Sequence, residues 1–357
     1  MGLATAWGLA KAGARVTVLD AGSPQPRAST ANFGLVWLQS KGDGFASYGR
    51  WSRRAVDAWP KFAMDLLAAT GIDPSFCPTG GLAYCLSEKE WVARIARTER
   101  LKNANPTDLY GTVMINRAEV QRMLPGVVLG ADVVGASWNP YEGTVDPLRL
   151  THALRVALHR AGASVIHGSA VDSVQPKKDS FEVRVGSVGY VSSRIVLAAG
   201  LGNAECAPKL GLDCLVRADR GQILVTERVP WRLPLPANGM RQTADGTVMI
   251  GATKEGSNLQ LHTTDPIRTA GMAARAVRIV PALANARITR VWSGVRTLSA
   301  DSAPVYARSS RWPGAVSLNC HSGITLTPLH TSLVAEWVKD GSYDQEIAAF
   351  TPRRFDV

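Results

Sequence analysis

Residues able to do chemistry fall in a few stretches of this sequence. In WSGVRTLSADSAPVYA, residues 292–307, Arg296 follows a β-rich run and precedes a second apolar segment. A guanidinium so placed can grip a carboxylate through two parallel N–H bonds; the plainer alternative is a surface ion pair. In NCHSGITLTPLH, residues 319–330, a glycine turn runs into a helix. The N–H groups of Gly323, Ile324 and Thr325, with Leu326 starting the helix, make a site for negative charge. Otherwise Ser322 simply caps that helix. His321 lies beside the turn, where it can tune a bound group or pack as an ordinary loop histidine. Cys320 reads as a small buried thiol.

The opening, MGLATAWGLAKAGARVTVLDAG, reads as the second half of a dinucleotide-binding unit. Gly2 stands where the last glycine of the phosphate turn belongs, and Asp20 closes a strand at the distance suited to a ribose hydroxyl. A surface βα turn with a capping Asp is the bland reading. In ASTANFGL, residues 28–35, backbone N–H groups and the hydroxyls of Ser29 and Thr30 can hold a pyrophosphate, with Asn32 and Gly34 shaping the loop. In RIVLAAG, residues 194–200, Ala199 and Gly200 offer no bulk, so a backbone can pass close to the same nucleotide. The apolar strand and two glycines that should open such a unit do not precede Gly2. The expectation is a chain that starts late, at an internal Met, and lacks the central strand of its parallel sheet.

These residues need elements to hold them. A helix over 3–12, stopped by Gly13, and a β-branched strand over 15–19 place Asp20. Helical periodicity over 48–70 puts Trp51, Ala55, Trp59, Phe62 and Leu66 on one face. Shorter helices are expected over 88–102 and 116–124, and a strand over 80–86. Pro147 starts a helix that Gly162 stops. Strands follow over 163–167, 170–175, 181–185 and 194–200. Segments 220–228, 240–243, 247–252 and 288–296 read as an antiparallel sheet, and one last helix covers 326–339. The fold class is mixed α/β, with two interleaved domains.

Bulk properties narrow the function. The 357 residues have 46% hydrophobic and 19% charged content, which suits a soluble globular protein. No run of eighteen apolar residues suggests a membrane span, and no secretory leader is evident. Five dispersed cysteines without a CxxC argue for a reduced, cytoplasmic protein and against a zinc site or disulfide framework. The net charge of +11 is spread along the chain without a basic, aromatic-interleaved stripe, so it points to anionic substrates such as carboxylates rather than to nucleic acid.

Taken in order, GLATAWGLAKAGARVTVLD, STANFG, EGTVDPLRLTHAL, VLAAG, DRGQILVTE, DGTVMIGAT, WSGVRTLSADSAPVYA and HSGITLTP resemble the blocks of the D-amino-acid oxidase/glycine oxidase (DAO) family of FAD-dependent amine oxidoreductases. STANFGLVW and the terminal FTPRRFDV are similar to catalytic subunits of opine oxidase, (hydroxy)proline dehydrogenase and hydrogen cyanide synthase. One departure is Arg296–Thr297 where the family has Arg-Pro. The resemblance implies a Rossmann-type FAD-binding domain over 1–47, 144–216 and 297–357. It implies an α+β substrate domain over 48–143 and 217–296. It implies FAD held by Gly2, Asp20, Ser29, Thr30, Asn32, Gly34, Val171, Ala199, Gly200 and Gly323 to Leu326, and hydride transfer from the α-carbon of an amino acid or secondary amine to flavin N5. Arg296 would fix the substrate carboxylate, His321 would serve beside it, and Trp51, Tyr84, Met240 and Arg241 are expected near the pocket. The resemblance admits electron-transfer partner subunits and peripheral membrane association. Two alternatives stand beside it: a tRNA-modifying flavoprotein, and a truncated flavoprotein without activity.

Overall fold

A computed structural model describes residues 1–22, 27–104, 110–256, 262–342 and 345–356. Residues 23–26, the start of the expected polar loop 23–34, lie outside them.

The first helix, Gly2–Lys11, is short and made largely of small and aliphatic residues. Gly8 is its point of closest approach to a neighbour. A Cβ there would stand 2.1 Å from the Thr331 carbonyl oxygen and 2.6 Å from the Ala335 Cβ. The helix therefore meets the C-terminal helices backbone to backbone. Gly13, at φ +84°, ends it in the left-handed conformation the sequence suggests. The strand Thr17–Asp20 then pairs in parallel with Ser164–His167. In a separate ladder, Ile195–Leu197 pairs in parallel with Ala315–Asn319, which runs antiparallel to Val305–Arg308. Ala198 and Ala199 leave the ladder earlier than expected, and Gly200, at φ +63°, opens a 3-10 turn.

Two helices brace this half. Ala46–Thr70 buries Trp51, Ala55, Trp59, Phe62 and Leu66, the face its period indicates, and Gly71 closes it. That face is shared: Trp59, Phe62 and Leu66 pack with Ala4, Ala6 and Trp7, while Trp51 and Ala55 pack with Tyr306, Trp337 and Phe350. Pro147–Arg160 starts where expected because Asp146 accepts the N–H groups of Leu148 and Arg149 at 2.8 and 3.0 Å.

The antiparallel sheet is present in the order Met240–Gln242, Thr247–Gly251, Arg217–Arg228, Ile288–Leu298. Leu224, Met240, Val248 and Ile250 point into one core with Ile279 of the helix Pro266–Ile279. The opposite, inner face carries Arg241, Met249, Ile223, Trp292 and Arg296 by register. Gly81–Cys85, Gly135–Asn139 and Val113–Asn116 form a further antiparallel sheet. It is tied on where Leu82 donates to the Pro236 carbonyl at 2.9 Å.

The single last helix expected over 326–339 is instead two, Thr327–Thr331 and Leu333–Asp340. The hydroxyls of Thr327, Thr331 and Ser332 bond back to the carbonyls of Gly323, Thr327 and Pro328 at 2.7–3.1 Å. Such back-bonding competes with the helix ladder and bends it. No helix among the described residues is long and apolar enough to cross a membrane.

The Gly8 contact sets propensity against packing. Helix propensity alone would make Gly8→Ala stabilising by about 1 kcal/mol. With a backbone oxygen in the way of the new methyl group, the variant is expected to be destabilised by about 1–3 kcal/mol. Urea unfolding midpoints at unchanged slope decide the sign.

Candidate functional site

The turn at residues 321–326 is the centre of the site. Leu326 donates to Ser322 O and Thr327 donates to Ile324 O, but the N–H groups of Gly323, Ile324 and Thr325 find no acceptor among the described residues. Three consecutive free donors make a nest for a partial or full negative charge. The turn is held from outside. Trp37 N–H donates to Thr325 Oγ1 at 3.1 Å, and Trp59 Nε1 donates to the Thr325 carbonyl at 2.9 Å. A Cβ at Gly323 would meet only the Met1 side chain, at 3.5 Å.

Sequence reasoning missed what faces this turn. Lys41 Nζ donates to Ser322 Oγ, and the Tyr48 hydroxyl shares the same Oγ at 2.6 Å. Burial pushes the Lys41 ammonium down to about 8, with Lys254 and Arg97 working the same way against Cys320 and Glu142. His321 Nδ1 lies 3.5 Å from Ser322 Oγ. Burial, then the charges of Lys41, Arg296 and Lys254, push His321 down to about 3. His321 is therefore neutral at physiological pH, and three cations share its basin. The sequence signal for Lys41 is one lysine in LVWLQSKG, an otherwise uncharged run.

Glu142 was also missed. It is fully buried, and its Oε1 accepts the N–H groups of Leu38 and Gln39 at 2.8 and 2.5 Å. Oε2 accepts Gln39 Nε2 at 2.7 Å. Burial outweighs these donors and pushes the carboxyl up to about 8.

Arg296 is in the basin but not idle. Its Nη1 donates to Asp219 Oδ2 at 2.5 Å and its Nη2 to the Thr253 carbonyl at 2.6 Å. The guanidinium lies across Gly221, where a Cβ would come within 2.3 Å of Nη2. Nη1 also donates to the Arg220 carbonyl at 3.4 Å, and these three hydrogen bonds leave part of its five-donor fork open to a ligand.

Of the residues expected on the nucleotide side, Asp20 meets Arg27 at the start of the loop that carries Ser29, Thr30, Asn32 and Gly34. Asp20 Oδ1 accepts Gly22 N–H at 3.0 Å and Arg27 Nη1 at 2.8 Å, while Oδ2 has only the longer approaches of Arg155, 3.5 Å, and His167, 3.6 Å. Burial raises this carboxyl, but the Gly22 N–H and the charges of Arg27, His167 and Arg155 hold it below its ordinary value. Gly2 faces Ala198: a Cβ on it would lie 3.2 Å from the Ala198 Cβ. Ala199 donates to Asn203 Oδ1 at 2.7 Å, and Val171, like Leu19, packs against a neighbouring core. Ser29 and Thr30 are exposed, Thr30 turning back on Arg27. Asn32 Oδ1 accepts Gly34 N–H at 2.7 Å. Gly34, at φ +80°, would put a Cβ 2.3 Å from the Val145 carbonyl oxygen, so only glycine fits.

A flavin dinucleotide can be tested against this donor set. The N–H groups of Ser29, Asn32 and Phe33 have no acceptor among the described residues, like those of Gly323, Ile324 and Thr325. Two sets of free backbone donors and a carboxylate with an open oxygen suit a pyrophosphate, a ring edge and a ribose. The residues present fit the group. Of the residues expected at the pocket, Trp51, Tyr84 and Met240 are instead buried core side chains. Arg241, next to Met240 on the strand, faces the other way.

Comparison with known proteins agrees along the chain. The sequence model of the DAO family, described as FAD dependent oxidoreductase, matches residues 1–337. An opine oxidase subunit from Agrobacterium tumefaciens (strain Ach5) is 38% identical over 356 residues, covering 99% of this chain and 95% of that protein. The corresponding opine oxidase subunit from Rhizobium meliloti is 36% identical over 357 residues, covering 100% and 95%. Among solved structures, glycine oxidase from Geobacillus kaustophilus shares the fold with a TM-score of 0.88 at 23% identity, covering 98% of this chain and 95% of that one.

The basin has a titrating member. Lys41 carries its charge below pH 8 and loses it as the pH rises through about 8. The affinity of a carboxylate inhibitor for the FAD-loaded protein is therefore expected to fall across that pH range. Lys41→Met should flatten this limb at the low-affinity level. His321 contributes no limb between pH 5 and 9, and an inhibitor titration that keeps the limb in the Lys41 variant would reassign it.

Proposed function

We propose, from the premise that this chain belongs to the DAO family of FAD-dependent oxidoreductases, that it is the flavin-bearing catalytic subunit of an enzyme oxidising N-substituted amino acids of the opine type. As a member of that family it is an enzyme, an FAD-dependent oxidoreductase acting on amino acids or amines. The narrower reading is carried by the end-to-end likeness to the two opine oxidase subunits. The word subunit in both names favours a protein that hands electrons to a partner over a free-standing oxidase. Five unpaired cysteines suit a reducing, cytoplasmic setting.

In this reading the FAD-binding part is Rossmann-type and takes in residues 1–47, 144–216 and 297–357, with the substrate part at 48–143 and 217–296. The parallel pairings of Thr17–Asp20 and of Ile195–Leu197 support the first. The separate core at 82–136 and 224–283 supports the second. The helix Ala46–Thr70 gives its apolar face to the first part.

The roles follow from charge and position. Asp20 takes a ribose hydroxyl, the loop at Ser29 to Gly34 takes the pyrophosphate, and the N–H groups of Gly323 to Thr325 take the ring edge. When bound, FAD supplies the acceptor, at its N5, for a hydride from the substrate α-carbon. Asp219 fixes Arg296, and the unused edge of Arg296 holds the substrate carboxylate so that the α-carbon is oriented. The cations around His321 disfavour a second positive charge, so the substrate amine is held in its neutral form without a dedicated base. His321, itself neutral, offers an uncharged hydrogen-bond partner. Loss of hydride and of the N–H proton leaves a C=N bond, and water then splits it into a 2-oxo acid and an amine.

The test is turnover by the FAD-loaded protein of an N-(1-carboxyethyl) amino acid against glycine and proline, with a dye acceptor and with air alone. The expected result is 2-oxo acid release with dye and little hydrogen peroxide in air. Turnover of glycine or proline alone would overturn the opine reading, and stoichiometric peroxide would make the protein a free-standing oxidase. Arg296→Ala is expected to raise KM by a factor equivalent to about 2–4 kcal/mol, and an unchanged KM would remove Arg296 from substrate binding.

A further inference from the structure

Arg241 is the exception among the buried arginines of the four-stranded sheet. It is only 8% exposed. Its Nε donates to the Phe33 carbonyl at 2.6 Å, and its Nη1 and Nη2 donate to nothing among the described residues. Arg296 and Arg220 are matched by carboxylates, Asp219 and Glu255. Arg241 has none within ion-pair distance among the described residues. The acid that influences it, Asp146, is committed to two backbone N–H groups at a helix start. Burial pulls this guanidinium down to about 10, against the attraction of Asp146. A desolvated cation with idle donors is costly unless something else pairs with it.

Its position says what that is. Arg241 stands opposite Met249, and Met249 opposite Val225, on the same inner face as Arg296. The guanidinium of Arg296 lies over Gly221, four residues along that strand. Two strand spacings and four residues put the Arg241 Cα on the order of 16 Å from it. A side chain of arginine length reaching inward shortens that gap to one a small dianion can bridge. On the way lie Gly239 and Gly251, joined backbone to backbone at 3.0 Å, which bring no side chain. The Arg241 Nη2 also flanks Gly34, 3.0 Å from where its Cβ would be.

We propose that Arg241 anchors a second carboxylate of the substrate, so that the site selects secondary amines with a carboxylate on each side of the nitrogen. This rests on the amine-oxidising reading above but is tested apart from it. Thiodiglycolate, a non-oxidisable thioether with two carboxylates, and methylthioacetate, with one, are titrated into the FAD-loaded protein and followed by the flavin absorbance change. In Arg241→Leu the ratio of the thiodiglycolate to the methylthioacetate dissociation constant is expected to rise tenfold or more. Arg241→Lys should recover part of that loss, which a merely structural role would not do. A ratio unchanged in both variants would overturn the proposal. So would an intact preference for the diacid with FAD binding weakened tenfold, since Arg241 would then serve the cofactor phosphate. If the wild-type protein oxidises no amine yet shows the Arg241-dependent preference, the functional reading falls and this one stands.

Discussion

One buried carboxyl group holds the site in shape. Glu142 has no solvent contact, and its two oxygens take the backbone N–H groups of Leu38 and Gln39 and the Gln39 amide. Gln39 in turn donates to the Gly81 carbonyl and accepts from the Ser137 hydroxyl. The Tyr110 hydroxyl donates to the Leu38 carbonyl at 2.9 Å. A segment whose only regular structure is the two-residue strand Leu35–Val36 is thereby fixed to the strands Gly81–Cys85 and Gly135–Asn139. That segment carries Trp37 to Thr325 and Lys41 to Ser322. Gly34, at its other end, is locked by Val145. The Leu38 and Gln39 N–H groups both end on Glu142 Oε1 and the Gln39 amide on Oε2, so loss of the carboxyl would orphan several buried groups at once.

Around this frame the electrostatics are lopsided. Lys41, Arg296 and Lys254 all depress His321, and Arg241 adds an unpaired guanidinium nearby along the sheet. The acids that reach the basin are spoken for: Asp219 holds Arg296, and burial pushes Glu142 toward its protonated form. Such a cluster of charges attracts anions and repels ammonium groups. The balance suits carboxylated amines that must lose a proton before they lose a hydride.

Local chemistry was legible in the sequence. Asp146–Pro147, Gly13 and the Trp51-to-Leu66 face each depend on residues within a few positions, and each formed where the pattern placed it. The strands of the antiparallel sheet were legible as alternation, and Arg296 and the 321–326 turn as types in context. What stayed hidden depends on register and distant pairing. Lys41 meets Ser322 across 281 residues, and Asp219 meets Arg296 only because two strands align. Met240 and Arg241 were both expected at the pocket, yet neighbouring residues on a strand face opposite ways, and only Arg241 looks inward. Trp51 and Tyr84 satisfy the same apolar pattern whether they line a cavity or a core, so periodicity does not separate the two. The split of the last helix at Ser332 came from three hydroxyls acting together.

The contact at Gly8 bears on how the molecule comes to exist. The helix Gly2–Lys11 shares a core with Trp59, Phe62 and Leu150, but its Gly8 closes only against Thr331 and Ala335, which are made much later on the ribosome. At roughly 5–20 residues per second, synthesis leaves it waiting on the order of 16–64 s. During that time the Gly8 face has no backbone to close against. The Gly8 contact is thus closed late in synthesis, after the other partners of its helix are already in place.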